Sequence, residues 1–248
     1  MLQAVYRGKA GRVELDGQSL QWREIFKRRE DLLTATFFGR LPYLSDNAFN
    51  AVLSRLIGTE QTKNLSSFTK MELWPHFTEL DERKFVEPDV LLCFEHEIVM
   101  VEVKPPFGGK QYLEQWKAQM AALSVEIDYL KYTKIHFVAL GNTLNTTLSD
   151  TEYPARFTPM TQLEWSDLRS LLQDESLFAR NRQDAAVRQD WLKAFELFGM
   201  TPIVPDWEPL LKYARGSAGD GAISSGWKSL LNFSMSPNQL SHKSKITF

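Results

Sequence analysis

The chain has 248 residues, of which 43 % are hydrophobic and 12 % aromatic, a globular composition that excludes an intrinsically disordered chain. It carries 29 basic and 31 acidic residues, so local basic patches, rather than the net charge of −2, would have to hold any nucleic-acid partner. Cys93 is the single cysteine, which excludes an intrachain disulfide and metal sites built from several cysteines. Without a signal peptide or an apolar run of the ~18 residues that span a membrane, we expect a cytoplasmic protein with no membrane partner.

Hydrophobic periodicity predicts the order of helices and strands along the chain. An N-terminal hairpin or arm occupies 1–21, with glycines at bends within 4–16. The predicted helices cover 22–38, 46–57, 110–124, 161–178 and 183–198, and the predicted strands cover 69–76, 86–94, 97–104 and 134–140. A helix, three strands, a helix and a strand in this order predict an α/β fold with a mixed central sheet flanked by helices.

The composition changes after Gly199. Pro202, Pro205 and Pro209 lie close together, and 216–226 is rich in glycine and serine, as loops are. We therefore expect one domain over 1–199 and a partly flexible C-terminal appendage over 200–248.

Two of the predicted strands carry charged residues among apolar ones. Side chains alternate along 97–104, so Glu102 and Lys104 share one face of that strand. A tight turn between the two strands would place Asp89 opposite Glu102, on the same face and with Cβ atoms ~5 Å apart. Two carboxylates at that distance repel each other unless a cation lies between them, and oxygen ligands suit Mg²⁺ or Mn²⁺.

A third carboxylate lies on the apolar face of the first long helix. Phe26, Leu33 and Phe37 fall within about 60° of Glu30 around the helix axis. A carboxylate on a buried face is usually paired or functional. The alternatives for Glu30 are a frayed helix face or a salt bridge to a lysine such as Lys104.

Three glutamines are spaced by four along the predicted helix 110–124. Gln111, Gln115 and Gln119 follow the edge of its apolar stripe, where their amides could reach a phosphate or a metal-bound water. A polar boundary row is the favoured interpretation for Gln111 and Gln119. For Gln115 the structural and functional interpretations stay open.

These residues together resemble a known family. Glu30, Pro88-Asp89, Glu102-Val103-Lys104 and Gln115 look like the active-site pattern of the PD-(D/E)XK nuclease superfamily, over about 24–140. In that superfamily a glutamate of the first helix, a Pro-Asp pair and a Glu-x-Lys triplet build the site. The resemblance implies an αβββαβ core and a metal-dependent nuclease. A DNA endonuclease in a mobile-element or phage-defence setting is favoured over an enzyme acting on RNA.

The resemblance also implies a role for each residue. Asp89, Glu102 and the carbonyl of Val103 would ligate Mg²⁺ or Mn²⁺, and Glu30 would touch the ion directly or through water. Lys104 would position or deprotonate the attacking water and help to neutralise the scissile phosphate.

Four further residues complete the expected site. Gln115 would join the catalytic set. Lys27, Arg28 and Lys110 would lie near that site and become candidate contacts with the nucleic-acid backbone.

Two other interpretations stay open. The chain could be a catalytically inactive DNA- or partner-binding protein on the same fold, or an unrelated α/β enzyme in which Glu102 and Lys104 form a structural ion pair. The near-neutral charge favours both a little. A protein subunit that delivers the substrate is a further open partner.

Overall fold

The computed structural model describes residues 2–78, 85–143, 148–149 and 152–200. The chain divides into two units, Met1–Thr201 and Pro202–Phe248, of which the second lies outside the described residues. The predicted appendage therefore lies outside them too, except for Met200.

Helices and strands alternate irregularly along the described residues. The helices are α1 (Leu2–Tyr6), α2 (Trp22–Arg28), α3 (Glu30–Phe38), α4 (Asp46–Ile57), α5 (Thr59–Lys63), α6 (Leu113–Val125), α7 (Trp165–Leu171), α8 (Glu175–Phe178) and α9 (Arg182–Leu197). The strands are β1 (Arg12–Leu15), β2 (Gln18–Gln21), β3 (Phe68–Leu73), β4 (Phe77–Thr78), β5 (Phe85–Val86), β6 (Val90–Phe94), β7 (Glu97–Val103), β8 (Lys134–Leu140) and β9 (Thr161–Leu163). No helix within the described residues is long and apolar enough to cross a membrane.

A five-stranded mixed sheet forms the centre of the fold, in the order β3-β6-β7-β8-β9. β3, β6 and β7 pair antiparallel, whereas β8 and β9 pair parallel to their neighbours. Helices α3, α4, α7 and α9 pack on one face and α6 packs on the other. Because both faces are covered, β6 and β8 are almost wholly apolar and buried. The predicted mixed α/β sheet flanked by helices is confirmed.

The N-terminal prediction is wrong in its details. The chain begins with helix α1, whose Leu2 and Val5 are buried in the core. The hairpin follows as β1 and β2, and its turn is Asp16-Gly17, where both residues have positive φ. Asp-Gly is a preferred pair for such a two-residue turn. The hairpin therefore lies closer to the C-terminus than the glycines within 4–16 had suggested.

The sheet also contains a strand that the sequence did not predict. Residues 161–163, expected to begin a helix, form β9 and pair with β8. The backbone N–H of Glu164 donates to the carboxylate of Asp167 at 2.9 Å, so the helix begins at Trp165 instead. The predicted helix 161–178 is therefore a strand followed by two short helices, α7 and α8.

Candidate active site

The β6–β7 hairpin positions the two predicted acidic ligands. Val90 pairs with Val101 and Cys93 with Ile98, which is the predicted register. By the alternation of side chains, Asp89 and Glu102 lie on the face of the sheet that α6 covers. The structure therefore places both carboxylates on one face.

Asp89 lies just before β6, outside the pairing between β6 and β7. The predicted strand 86–94 is interrupted, and β6 begins only at Val90, because Pro88 offers no N–H for pairing. The carboxylate of Asp89 instead accepts the backbone N–H of Val103 at 2.7 Å. This hydrogen bond ties Asp89 to the end of β7, beside Glu102.

The predicted strand 69–76 is also too long. β3 ends at Leu73, because Trp74 has a positive φ of 51° that a strand does not accommodate. The N–H of Trp74 donates to the carbonyl of Asp89 at 3.1 Å. The end of β3 therefore holds the backbone of Asp89 in place.

Glu102 is a buried carboxylate with both oxygens occupied. Its side chain is only 1 % exposed. Lys104 donates from Nζ to Oε1, and Gln119 donates from Nε2 to Oε2 at 2.5 Å. Burial of a charged group is costly unless it is paired, and these two donors supply the pairing.

Gln119 is a site residue that the sequence interpretation missed. It is 1 % exposed rather than on a polar boundary, and it reaches Glu102 from α6. Gln119 follows Trp116 by three positions and precedes Leu123 by four, so it lies inside the buried stripe. That spacing was the signal that could have identified it.

The other two glutamines have different surroundings. Helix α6 begins at Leu113, so Gln111 lies before the helix and not on its face. Gln111 is buried, accepts from Trp116 Nε1 at 2.9 Å and donates to the carbonyl of Gly141 at 3.0 Å, which is a structural role. The side chain of Gln115 is half-buried and makes no hydrogen bond with another described residue. The structure thus brings Gln119, and not Gln115, to Glu102.

The backbone of Lys104 is held from two sides. Its N–H donates to the carbonyl of Leu140 at 2.7 Å, and its carbonyl accepts from Trp165 Nε1 at 2.8 Å. Gly141 has a φ of 83°, and a Cβ there would lie 2.2 Å from the carbonyl oxygen of Lys104. Only glycine therefore allows this close approach at the end of β7.

The side chain of Lys104 remains cationic in this environment. Burial lowers the pKa of Lys104, but the carboxylates of Glu102, Asp89 and Glu30 outweigh that effect and hold the pKa above its ordinary value. The ammonium therefore keeps its proton at neutral pH.

The prediction of one continuous helix carrying both Phe26 and Glu30 is wrong. The backbone at Arg29 is extended, with φ −120° and ψ 101°, so α2 ends at Arg28 and Glu30 is the first residue of α3. Glu30 is half-buried. Burial raises the pKa of Glu30, Lys104 lowers it, and the neighbouring Asp31 and then Glu102 raise it. Glu30 therefore interacts electrostatically with the charged cluster formed by Asp89, Glu102 and Lys104.

The strongest electrostatic effect falls on Asp89. Burial and the charge of Glu102 raise the pKa of Asp89 to about 8, although the N–H of Val103 and the ammonium of Lys104 act in the opposite direction. Glu30 raises it further. Three carboxylates thus face one ammonium, an imbalance that favours binding of a cation.

The donor set fits a largely hydrated divalent ion. No group of three or more His, Cys, Asp or Glu that could hold a metal is found among the described residues. Mg²⁺, however, usually keeps several waters and takes only one or two carboxylates from a protein. Asp89 and Glu102 would supply these, and the carbonyl of Val103, at the end of β7 where its N–H binds Asp89, would be the expected third protein ligand.

The predicted nucleic-acid contacts are only partly described. The side chains of Lys27 and Arg28 lie outside the part of the chain that the structure describes. Lys110 is exposed in the loop before α6 and forms no ion pair with another described residue.

Comparison with known proteins identifies no family. No family model matches the chain, and no solved structure matches it. Over 92 residues the chain is 35 % identical to an uncharacterized protein of Pasteurella multocida. That alignment spans 37 % of this chain and 34 % of the other protein's length.

Proposed function

We propose that this protein is a metal-dependent nuclease that hydrolyses phosphodiester bonds in nucleic acid, with DNA as the preferred substrate and Mg²⁺ or Mn²⁺ as the cofactor. The observation that carries the proposal is the juxtaposition of Asp89, Glu102 and Lys104 at the end of the central strand β7, where the charge of Glu30 also acts. The resemblance of these residues to the PD-(D/E)XK pattern supports the same activity.

Each protein group has a distinct role in this proposal. A bound divalent ion would lower the pKa of a coordinated water and neutralise charge on the phosphate. Asp89 and Glu102 would hold the ion, together with the carbonyl of Val103. Lys104, which donates to Glu102 Oε1 beside that position, would stabilise the developing phosphate charge and position the attacking water. Gln119 keeps the carboxylate of Glu102 in position.

The test is incubation of the purified protein with plasmid, linear and single-stranded DNA and with RNA, in Mg²⁺, Mn²⁺ or EDTA. We expect cleavage with either metal, none with EDTA and none in Asp89→Ala or Glu102→Ala. The matched control is Glu95→Ala, because Glu95 is exposed at the tip of the same hairpin. Cleavage that persists in both site variants would contradict the proposal.

A second candidate is a nucleic-acid- or partner-binding protein without catalytic activity. The observation that favours it is the occupation of both Glu102 oxygens by Lys104 and Gln119. Binding of nucleic acid without cleavage under any metal condition would support this candidate.

A further inference from the structure

A groove of about 400 Å³ lies beside the candidate active site. One wall is the N-terminal half of α6, from Tyr112 to Gln119, and the other is formed by β5 and Glu87. Gln119 belongs to both the groove and the site, because its Nε2 binds Glu102. A molecule in the groove would therefore lie next to the candidate catalytic carboxylates.

Two aromatic side chains in this groove are open to solvent. Phe85 is 57 % exposed and Tyr112 is 58 % exposed, one on each wall. Large aromatic side chains are usually covered, and these two exposed rings, of which Phe85 also packs edge-on against His76 at 5.2 Å between ring centroids, offer surfaces on which a flat ring can stack.

An unpartnered polar atom provides a second, independent observation. Gln119 is 99 % buried by the side of this groove, and its Oε1 has no hydrogen-bond partner within the described residues. Leaving a buried acceptor unpaired is energetically costly. A ligand that brings an N–H or O–H donor would satisfy this atom.

The charges of the residues that line the groove determine which part of a ligand can bind there. The lining residues include the carboxylates of Glu87 and Glu114 but no lysine or arginine. Glu87 is paired with His76, whose Nε2 lies 3.0 Å from the carboxylate. Glu114 lies 3.8 Å from Lys117 Nζ. A phosphate would find no basic residue among the lining residues, whereas a ring with amino or imino donors would find carboxylate acceptors on both walls.

We propose that the groove binds an unpaired nucleobase, stacked between Tyr112 and Phe85, and that the substrate of this site is single-stranded nucleic acid. The inference rests on the proposed function, because it names the substrate class of the same site. Bases in an intact duplex are stacked and paired and cannot enter such a groove, whereas those of a single strand can stack on protein aromatics. The backbone phosphates would remain outside, near the exposed Lys110.

The test measures binding separately from cleavage. Fluorescence anisotropy in EDTA compares a short labelled single-stranded DNA with the same sequence as a blunt duplex and as single-stranded RNA. We expect tighter binding of the single strands, and roughly tenfold weaker binding in Tyr112→Ala and in Phe85→Ala, since stacking contributes substantially per base. Tyr112→Phe and Phe85→Tyr keep the rings and should bind like the unmodified protein.

The matched control is Tyr43→Ala, because Tyr43 is 60 % exposed but does not line the groove. Unchanged single-strand affinity in both alanine variants, equal affinity for the duplex, or no single-strand binding would each overturn the inference, even if metal-dependent cleavage is observed. Groove-dependent binding without cleavage in any metal would instead support the inference and remove the proposed catalysis.

Discussion

Gln119 on α6 donates a hydrogen bond to Glu102 on β7, and this contact joins the helix to the carboxylate at the centre of the charged cluster. The other oxygen of Glu102 accepts from Lys104. The orientation of Glu102 is therefore determined by one neutral and one charged donor. In the proposed nuclease, both donors hold a metal-binding carboxylate in place.

Replacement of Gln119 by leucine should reduce cleavage by roughly 10- to 100-fold, the usual effect of losing a partner that orients a metal ligand. The loss should appear as weaker activation by Mg²⁺, measured as the metal concentration that gives half-maximal rate. Ser124→Ala is the control, because Ser124 lies on the same helix, does not line the groove and does not bind Glu102. An equal loss in both variants would contradict the role assigned to Gln119.

Lys104→Ala should abolish metal-dependent cleavage, because it removes the cation that stabilises charge on the phosphate. It should also lower the free energy of unfolding, since loss of one partner from a buried pair typically costs ~3–5 kcal/mol. Cleavage assays and thermal melting of the same variant measure the two effects.

A double variant separates activity from stability. Lys104→Met with Glu102→Gln removes both charges and should recover much of the melting temperature without recovering cleavage. Full activity in Lys104→Ala would rule out this mechanism.

The sequence predicted the hairpin well, because strand alternation leaves few choices of register. Shifting β7 by one residue would turn Glu102 into the face that Val101 and Val103 occupy. The bounds of α4 were also predictable, since Asp46 begins a strongly periodic apolar pattern that ends at Gly58.

Other features of the site were not predictable from periodicity alone. Residues 22–38 keep a helical spacing across Arg29, and no glycine or proline marks the break there. The spacing of Gln119 indicated that it is buried, but its contact with Glu102 depended on the rotation of α6 against the sheet, which tertiary packing determines. The residues that sequence patterns identify best are thus those on the strands.

In metal-free protein, Asp89 should make stability depend on pH. Burial and the charge of Glu102 raise its pKa from 3.8 to about 8. Between these values the unfolded chain has lost the proton while the folded protein retains it, so the free energy of unfolding falls as the pH rises from about 4 to 8. Melting temperatures across this range in EDTA should show the decline, and Asp89→Asn should reduce it.

Added Mg²⁺ should counteract the same decline. A cation favours the ionised carboxylate, so the stabilisation by Mg²⁺ should grow with pH as the proton is released. Glu95→Gln, at the exposed hairpin tip, serves as the control and should leave the pH profile unchanged. A profile in Asp89→Asn identical to that of the unmodified protein would contradict the assignment.

Glu30→Gln tests whether the helix α3 carboxylate belongs to the cluster. Its negative charge raises the pKa of Asp89, so its removal should shift the pH-dependent loss of stability in EDTA to lower pH. If Glu30 also contacts the ion or its water, cleavage should fall by roughly 10- to 100-fold. The control is Asp46→Asn, because Asp46 is exposed in the first turn of helix α4 and is not among the groups that shift the pKa of Glu30 or Asp89. Both variants lose an acidic side chain from the first turn of a helix, where such groups stabilise the helix dipole, so this shared effect cancels. A shift of the pH profile and a loss of cleavage in Glu30→Gln but not in Asp46→Asn would place Glu30 in the site, whereas equal behaviour would assign it to the helix end alone.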